Sequence, residues 1–377
     1  MSPASEAERR RLHDTFAELC RIESPSGRER ACADAVIAAL ETLGIEVHED
    51  GAGAALGGDA GNLLARIEGT GEGWLLLCAH LDTVPLAAPV EPVVRDGWWE
   101  NANEAILGAD NKAAVAAILT VAHRLAATPA AAGVELLFTV GEEVALRGAK
   151  EFEAGRLRST RGYTFDSAFP VGGVVVASPT YYRITAELSG QAAHAGLRPE
   201  QGRSAILAAA RAIAVMRLGR IDDGTTANIG TIEGGSAANV VPDRCRLNGE
   251  VRSLDAARAE QLANEIAERL ADAANDPECE CDLDVALERQ FGGYRVPPSS
   301  PDVTLAFDAL RDCGFEPSPI VTGGGSDVNV LRAAGIAALN LANGTERNHE
   351  PGERVSTAAL ESILDIAFAL VERAGAG

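Results

Sequence analysis

Two polar residues, His80 and Asp82, close the apolar stretch 74–79 and are the first side chains in the sequence that could do chemistry. Residues two apart on a strand point to the same face. Asp82 could therefore accept a hydrogen bond from one ring nitrogen of His80 while the other nitrogen binds a metal. The same pair also occurs at ordinary polar strand ends, so it does not predict a metal site without further ligands.

Three more carboxylates follow apolar segments. Asp110 precedes a predicted helix that begins near Lys112, where a carboxylate can either cap the helix or bridge two cations. Glu142 and Glu143 come directly after the apolar run 134–140. Two adjacent carboxylates at the end of a buried strand repel each other and lose solvation, which favours a bound cation or a raised pKa.

A further β-like run ends at Asp166, and His349 lies in a loop near the end of the sequence. In open α/β sheets, ligands bind beyond the carboxyl ends of the strands. Five oxygen or nitrogen ligands and one spare carboxylate are what a two-metal hydrolytic site needs. The candidates are His80, Asp110, Glu142, Glu143, Asp166 and His349.

Alternating helices and strands must position these side chains. Apolar spacing predicts helices over residues 28–43 and 112–126, and strands over residues 62–67, 74–79 and 134–140. Strands that alternate with helices of this length are typical of an α/β sheet that is covered on both faces.

The pattern changes near residue 178. Residues 181–291 read as strand, helix, strand, strand, helix, strand, which is the ferredoxin-like order. The earlier alternation then resumes and ends in a predicted helix over residues 356–374. The sequence thus predicts one α/β domain of residues 1–177 and 294–377, with an α+β domain of residues 178–293 inserted.

The motifs around these residues resemble the M20 family of co-catalytic metallopeptidases, and within it the peptidase-T-like (tripeptide aminopeptidase) branch. They extend over nearly the whole chain and include AHLDTVP, ILGADNKAAVAAIL, TVGEE, TFDSA, SGQAAHAGLRPEQGRSAI, TGGGSDVNVL and the late histidine. The resemblance implies a mixed-sheet di-metal exopeptidase catalytic domain with an inserted ferredoxin-like lid and dimerisation domain. A homodimer through the inserted domain is a further expectation.

The resemblance also implies roles for the ligands. Asp110 would bridge two divalent cations, with His80 and Asp166 completing one site and Glu143 and His349 completing the other. The peptide bond after Asp110 is expected to be cis. Nitrogen and oxygen ligands without thiolates fit zinc, cobalt or manganese.

Two further residues receive catalytic roles from the resemblance. Glu142 would be the general base, which takes a proton from the metal-bridging water and delivers it to the leaving amine. Asp82 would bind no cation itself and would orient the ligand His80 through a hydrogen bond. The family has Asp or Glu at position 166, and Asp166 is similar to the aminopeptidase and dipeptidase side. It therefore favours cleavage of a short peptide from its free amino end.

Four residues are expected to contact the substrate. His194 resembles the family histidine that stabilises the oxyanion of the tetrahedral intermediate. Arg252 is suited to bind a substrate carboxylate with two parallel hydrogen bonds, which a lysine could not do. Asn239 and Gly324 would add polar and backbone contacts.

The expected activity is hydrolysis of tripeptides or dipeptides, and two other classes stay open. A carboxypeptidase or an N-acyl amino-acid deacylase would share the same fold. A non-catalytic peptide-binding protein could use a degenerate hydrolase fold, although the complete ligand set argues against it.

Composition excludes some partners and favours one compartment. The net charge is −22, from 33 basic and 55 acidic residues, and such a surface repels nucleic acid and anionic membranes. The seven cysteines are an odd number without a CxxC pair, which favours the reducing cytoplasm. No run approaches the 18 or so apolar residues of a membrane-spanning helix. A cytoplasmic enzyme acting on short peptides is the combined expectation.

Overall fold

The computed structural model describes residues 3–375, so the first two and the last two residues of the predicted catalytic domain lie outside the described residues. The chain forms two compact units. The first contains residues up to 176, residues 296–321 and residues from 326 onward, and the second contains residues 177–295 and 322–325.

The chain enters the first unit with five helices and eight strands, the last of which continues into the second unit. They are α1 (Glu6–Cys20), α2 (Arg30–Glu41), β1 (Val47–Glu49), α3 (Ala52–Leu56), β2 (Leu63–Ile67), β3 (Trp74–His80), β4 (Pro92–Arg95), β5 (Trp98–Asn101), α4 (Ala109–Ala127), β6 (Gly133–Thr139), α5 (Arg147–Glu151), β7 (Arg161–Ser167) and β8 (Gly173–Ser178).

The second unit follows and the chain then returns to the first. The second unit contains β9 (Thr180–Ser189), α6 (Ala205–Val215), β10 (Gly219–Asp222), β11 (Thr225–Gly234), β12 (Arg244–Ser253), α7 (Ala256–Ala274), β13 (Asp282–Phe291) and β14 (Tyr294–Arg295). The returning segment contains α8 (Pro301–Asp312), β15 (Ser318–Val321), α9 (Asp327–Ala333), β16 (Ala337–Ala342), β17 (Thr345–Glu346), β18 (Arg354–Ser356) and α10 (Thr357–Ala374).

The main sheet of the first unit is mixed. Its strands run in the order β1-β2-β6-β3-β7-β16-β8, and the four neighbours β6, β3, β7 and β16 are parallel. Strand β3 is buried at every position after Trp74, and β6 is buried throughout, as continuous apolar strands covered on both faces should be. The carboxyl ends of the four parallel strands therefore meet at one edge of the sheet. The predicted mixed-sheet α/β class is confirmed.

Helix α4 covers this sheet and packs against α1, α10 and β3. Its alanine-rich sequence lets it be buried from Ala109 to Ala122, because small side chains allow close approach on every face. Asp110 and Asn111 have non-helical backbone angles inside the assigned helix, and the bond between them is cis. Regular helix thus begins near Lys112, where the sequence predicts it.

The second unit has an antiparallel sheet in the order β10-β11-β12-β9-β13. Without β10, which adds a short hairpin strand that was not predicted, this is the expected ferredoxin-like arrangement. Apolar residues on one face of the sheet form a core with α6 and α7, including Ile184, Leu247 and Leu262. The opposite face carries polar side chains, because strand residues alternate between the two faces.

Candidate active site

The predicted metal ligands lie at the shared edge of the parallel strands. His80 is the last residue of β3, Asp166 is the next-to-last residue of β7, and Glu142 and Glu143 follow β6. Strands β6 and β7 lie on opposite sides of β3, so this edge is where the strand order reverses direction. Ligands of open α/β sheets bind at such points.

The carboxylate of Asp110 lies between two groups of possible ligands. Its Oδ1 is 3.2 Å from Nε2 of His80, which is 3.7 Å from Oδ1 of Asp166. Its Oδ2 is 3.3 Å from Nε2 of His349, which is 2.9 Å from Oε1 of Glu143. Within each group of three residues, the possible ligand atoms lie within 4.8 Å of one another. Each group could hold one cation, with Asp110 shared between them.

The helix-cap alternative for Asp110 does not describe its side chain. Regular helix begins near Lys112, and among the described residues no backbone N–H of its first turn donates to the Asp110 carboxylate. The Asp110 carboxylate instead accepts a hydrogen bond from Nδ2 of Asn348 at 2.8 Å and faces the two imidazoles. Asn348 precedes His349, which has a left-handed backbone with φ of 67°. Asn348 was not among the site residues predicted from the sequence.

The main chain orients the His80 ring. Its Nδ1 lies 2.9 Å from the backbone carbonyl of Asp82 and 3.5 Å from the carboxylate of the same residue. The shorter contact is to the carbonyl, whereas the sequence analysis assigned this role to the carboxylate. A proton on Nδ1 leaves the lone pair of Nε2 free for a metal.

The buried carboxylate of Asp82 has another task. It accepts hydrogen bonds from the hydroxyl of Ser26 at 2.6 Å and from the backbone N–H groups of Glu142 at 2.9 Å and Glu143 at 3.1 Å. Asp82 thereby fixes the loop that presents both glutamates.

Glu353 is a site residue that the sequence analysis missed. Its buried carboxylate accepts backbone N–H groups from Leu107 at 2.8 Å, Gly108 at 2.7 Å and Asp110 at 2.9 Å. It therefore holds the turn from which Asp110 projects. Its position four residues after His349 was the available signal, but a sequence does not distinguish a buried glutamate from a solvated one.

Asp327 is a second missed carboxylate. It begins α9, is buried, and accepts a hydrogen bond from the hydroxyl of Thr139 at the end of β6. Burial raises the pKa of Asp327 to about 6. It lies within the quoted motif TGGGSDVNVL, of which the sequence analysis singled out only the glycines.

The site contains an excess of close negative charge. Burial and the charge of Asp166 raise the pKa of Glu142 well above its ordinary value. Burial and the charge of Asp110 raise the pKa of Asp166 to about 8. Hydrogen bonds to Asp110 and Glu143 raise the pKa of His349 to about 10. Two divalent cations would neutralise this repulsion, so the residues fit such ions.

The four predicted substrate residues lie in the second unit, where hydrogen bonds join the segments that carry them. The backbone N–H of Ala195, next to His194, donates to the carbonyl of Asn239 at 2.9 Å. Nη1 of Arg252 donates to the carbonyl of Gly323 at 3.2 Å, beside Gly324.

Two family profiles match the chain. The profile described as "Peptidase dimerisation domain" matches residues 180–278, and the profile described as "Peptidase family M28" matches residues 62–183. The second match includes all the predicted metal ligands except His349. Among residues 3–375, no helix is long and apolar enough to cross a membrane.

Solved structures resemble the chain over nearly its full length. Aminopeptidase PepT from Bacillus cereus ATCC 10987 is 35% identical, with a TM-score of 0.86 over 97% of this chain and 98% of its own. A tripeptidase from Staphylococcus aureus subsp. aureus Mu50 is 34% identical, with a TM-score of 0.91 over 98% of this chain and 99% of its own.

Curated proteins are similar as well. The uncharacterized protein YqjE of Bacillus subtilis (strain 168) is 35% identical over 97% of this chain and 98% of its own length. A probable carboxypeptidase from Paracoccidioides brasiliensis (strain Pb03) is 33% identical over 68% of this chain and 62% of its own length. The chain therefore belongs to the peptidase-T-like branch of the M20 family and is a metal-dependent exopeptidase.

Proposed function

We propose that this exopeptidase is an aminopeptidase that removes the amino-terminal residue of tripeptides and dipeptides. The observation that carries the proposal is the Asp110 carboxylate, which lies between two ligand groups, one of them completed by Asp166 rather than by a glutamate. The similarity to proteins described as an aminopeptidase and a tripeptidase supports the same substrate class.

Two divalent cations are part of this proposal. His80, Asp110 and Asp166 would hold one, and Asp110, Glu143 and His349 would hold the other. Zinc is the proposed metal, with cobalt and manganese as alternatives, because all the ligand atoms are nitrogen or oxygen. When bound, such cations supply Lewis-acid chemistry that polarises water and the scissile carbonyl group.

Glu142 is the proposed general base. Its raised pKa suits a group that accepts a proton from the attacking water and later gives it to the leaving amine. The backbone N–H of Glu142 donates to the carboxylate of Asp82, and this hydrogen bond fixes the part of the loop that carries the Glu142 side chain. Asp82 thus acts on catalysis through the placement of Glu142.

The second unit supplies the proposed contacts to the peptide. Arg252 would bind the terminal carboxylate, and His194 would stabilise the oxyanion. Asn239 and Gly324 would add polar and backbone contacts. Support for these roles comes from the chemistry of the side chains and from the hydrogen bonds that join Ala195, next to His194, to Asn239 and Arg252 to Gly323, next to Gly324.

We also propose that residues 1–177 and 294–377 form the catalytic domain and that residues 178–293 form a lid and dimerisation domain. The boundaries of the two compact units and the matched dimerisation profile support this division. A homodimer through this inserted domain is supported by the exposed apolar side chains of Ile206 and Leu207 on α6 and of Ile232 on β11. Seven free thiols support a cytoplasmic location.

A carboxypeptidase is the second candidate function, since curated relatives described as probable carboxypeptidases favour it. A single comparison separates the two. The purified protein is assayed with an unblocked tripeptide, its N-acetylated form and its C-terminal amide. An aminopeptidase loses activity on the N-acetylated peptide and still cleaves the amide, with a higher KM because Arg252 has no carboxylate to bind. Preference for the N-acetylated peptide would reject our proposal.

A further inference from the structure

An ion pair engages the arginine that the proposed function assigns to the peptide carboxylate. Glu250 and Arg252 are two apart on β12 and therefore point to the same face. Nε of Arg252 donates to Oε1 of Glu250, and Nη2 donates to Oε2, each at 3.1 Å. This bidentate geometry is the one with which a guanidinium binds carboxylates in general. Glu250 thus occupies the edge of Arg252 that a peptide carboxylate would use.

Two other contacts hold Arg252 without Glu250. The guanidinium lies 4.5 Å from the ring centre of Tyr181, and Nη1 donates to the carbonyl of Gly323 at 3.2 Å. The Tyr181 ring packs edge-on against Phe291, with 5.4 Å between the ring centres. Because stacking and the carbonyl already fix the guanidinium, Glu250 is not needed to position it.

Glu250 has a second cation within reach. Arg183 on β9 is its direct cross-strand partner, and such partners have Cβ atoms about 4.5–5.5 Å apart. The side chain of Arg183 is exposed and makes no hydrogen bond or ion pair within the part of the chain that the structure describes. Glu250 and Arg183 both line a groove of about 420 Å³ on the open face of the sheet. Glu288, the other cross-strand neighbour of Arg183, instead accepts a hydrogen bond from Gln290.

We propose that Glu250 is a resident competitor for the peptide carboxylate, displaced from Arg252 onto Arg183 when a free-acid peptide binds. This inference rests on the proposed function, which assigns Arg252 to that carboxylate. The competition weakens the binding of every free-acid ligand, including the shortened product, and so favours product release. The side chains of Arg252 and Glu250 are 27% and 35% exposed, and exposed pairs of this kind contribute little. The expected effect is therefore at most about fivefold in affinity.

The first experiment compares wild-type protein with E250Q. KM is measured for a free-acid tripeptide and for its C-terminal amide. We expect E250Q to lower the KM of the free acid about two- to fivefold, with a much smaller change for the amide. The matched control is E187Q, which removes a carboxylate that pairs with Arg244 and Arg246 on the same sheet face. E187Q should leave the acid-to-amide ratio at its wild-type value. An unchanged KM for the free acid in E250Q would show that Glu250 does not compete, and a higher KM would show that Glu250 orients Arg252. Either result would overturn the proposal.

A second experiment tests whether Arg183 pairs with the displaced Glu250. R183A removes the site onto which Glu250 moves, so the KM of the free-acid peptide should rise in R183A. In the double variant R183A/E250Q, this rise should disappear, because no carboxylate is left to be displaced. An equal rise in both backgrounds would show that Arg183 binds the peptide itself and would contradict the exchange.

Binding affinities measured by calorimetry distinguish a failure of the competitor role of Glu250 from a failure of the proposed aminopeptidase function. The affinities of the free-acid peptide and the amide are measured for E142A and for E142A/E250Q, so that no cleavage is needed. If wild-type protein cleaves only N-acetylated peptides, the aminopeptidase function fails, while tighter binding of the free acid in E142A/E250Q still supports the competitor. Equal affinity for the acid and the amide in E142A would reject the role of Arg252, and the competitor with it.

Discussion

One oxygen of the Glu353 carboxylate accepts the backbone N–H of Asp110 at 2.9 Å, across a separation of 243 residues in the sequence. Since the same carboxylate also binds the N–H groups of Leu107 and Gly108, it sets the position of the whole turn before α4. The placement of Asp110, which both ligand groups share, therefore depends on a side chain that binds no cation itself.

Replacing Glu353 should weaken metal binding. In E353Q the side-chain amide cannot accept all three N–H groups, so the turn shifts and Asp110 with it. Removing such a supporting group typically costs 10–100-fold in metal affinity, and we expect a loss of that size. Competition with a chelator measures it. The control is E350Q, an exposed glutamate of the same loop, which should bind metal as the wild type does. Equal affinities in both variants would contradict the supporting role.

Replacing Asp82 should reduce kcat more than metal content. The Asp82 carboxylate accepts the backbone N–H groups of Glu142 and Glu143. In D82N the NH₂ of the amide faces one of these donors and cannot accept it, so both glutamates are displaced. A misplacement of about 1 Å can lower a rate about 100-fold, and we expect a decrease of at least that order in kcat. S26A, which removes only the hydroxyl donor, should stay within about tenfold of wild-type kcat. Steady-state kinetics of both variants, with metal analysis, checks the difference.

Replacing Glu142 should separate catalysis from metal binding. A general base contributes about 10²–10⁴-fold, so E142A should lose kcat by about three orders of magnitude while it retains its metal. Its metal-free form should unfold at the same temperature as the wild type or a higher one, because a buried carboxylate repelled by Asp166 has been removed. Retention of more than a tenth of wild-type kcat would rule out Glu142 as the base.

The metal-free protein should lose stability as the pH rises from 5 to 8. Burial raises the pKa of Asp166 to about 8, of Glu353 to about 7 and of Asp327 to about 6, whereas such groups titrate near 4 in the unfolded chain. The folded state therefore binds more protons than the unfolded state across this range. The free energy of unfolding must decrease as those protons are released.

Denaturant unfolding of chelated protein at several pH values measures this slope. D166N, which does not titrate, should show a shallower decrease above pH 6 than the wild type. The stabilisation gained from added zinc should grow over the same range, because deprotonated ligands bind the cation. Stability that increases from pH 5 to 8 in the chelated wild type would contradict the charge arrangement described above.

The fold was predictable where a local pattern is unambiguous. Strand β3 was placed to within one residue because every position after Trp74 is buried, and the ferredoxin-like order followed from clear alternation in β9, β12 and β13. Strand β8 was not predicted, since its short apolar run directly adjoins the predicted domain boundary at residue 178.

The site was predictable only where residues belong to motifs. The proposed ligands His80, Asp110 and Asp166 stand in sequence patterns that resemble the M20 family, and the structure brings them together. Glu353 and Asp327 could not be chosen from the sequence, because their roles depend on burial and on partners distant in the chain. The contact between His80 and the main-chain carbonyl of Asp82 could not be predicted either, because every residue has such a carbonyl and the sequence does not mark which one is used.

Metal stoichiometry in a zinc titration tests the central claim most directly. Chelated wild-type protein is titrated with zinc while bound metal and hydrolysis of an unblocked tripeptide are measured together. The shared position of Asp110 predicts two tightly bound ions per chain, recovery of activity on zinc addition, and weakened binding of both ions in D110N. Full activity in the chelated protein, saturation at a single ion, or a D110N variant that binds both ions normally would contradict the account.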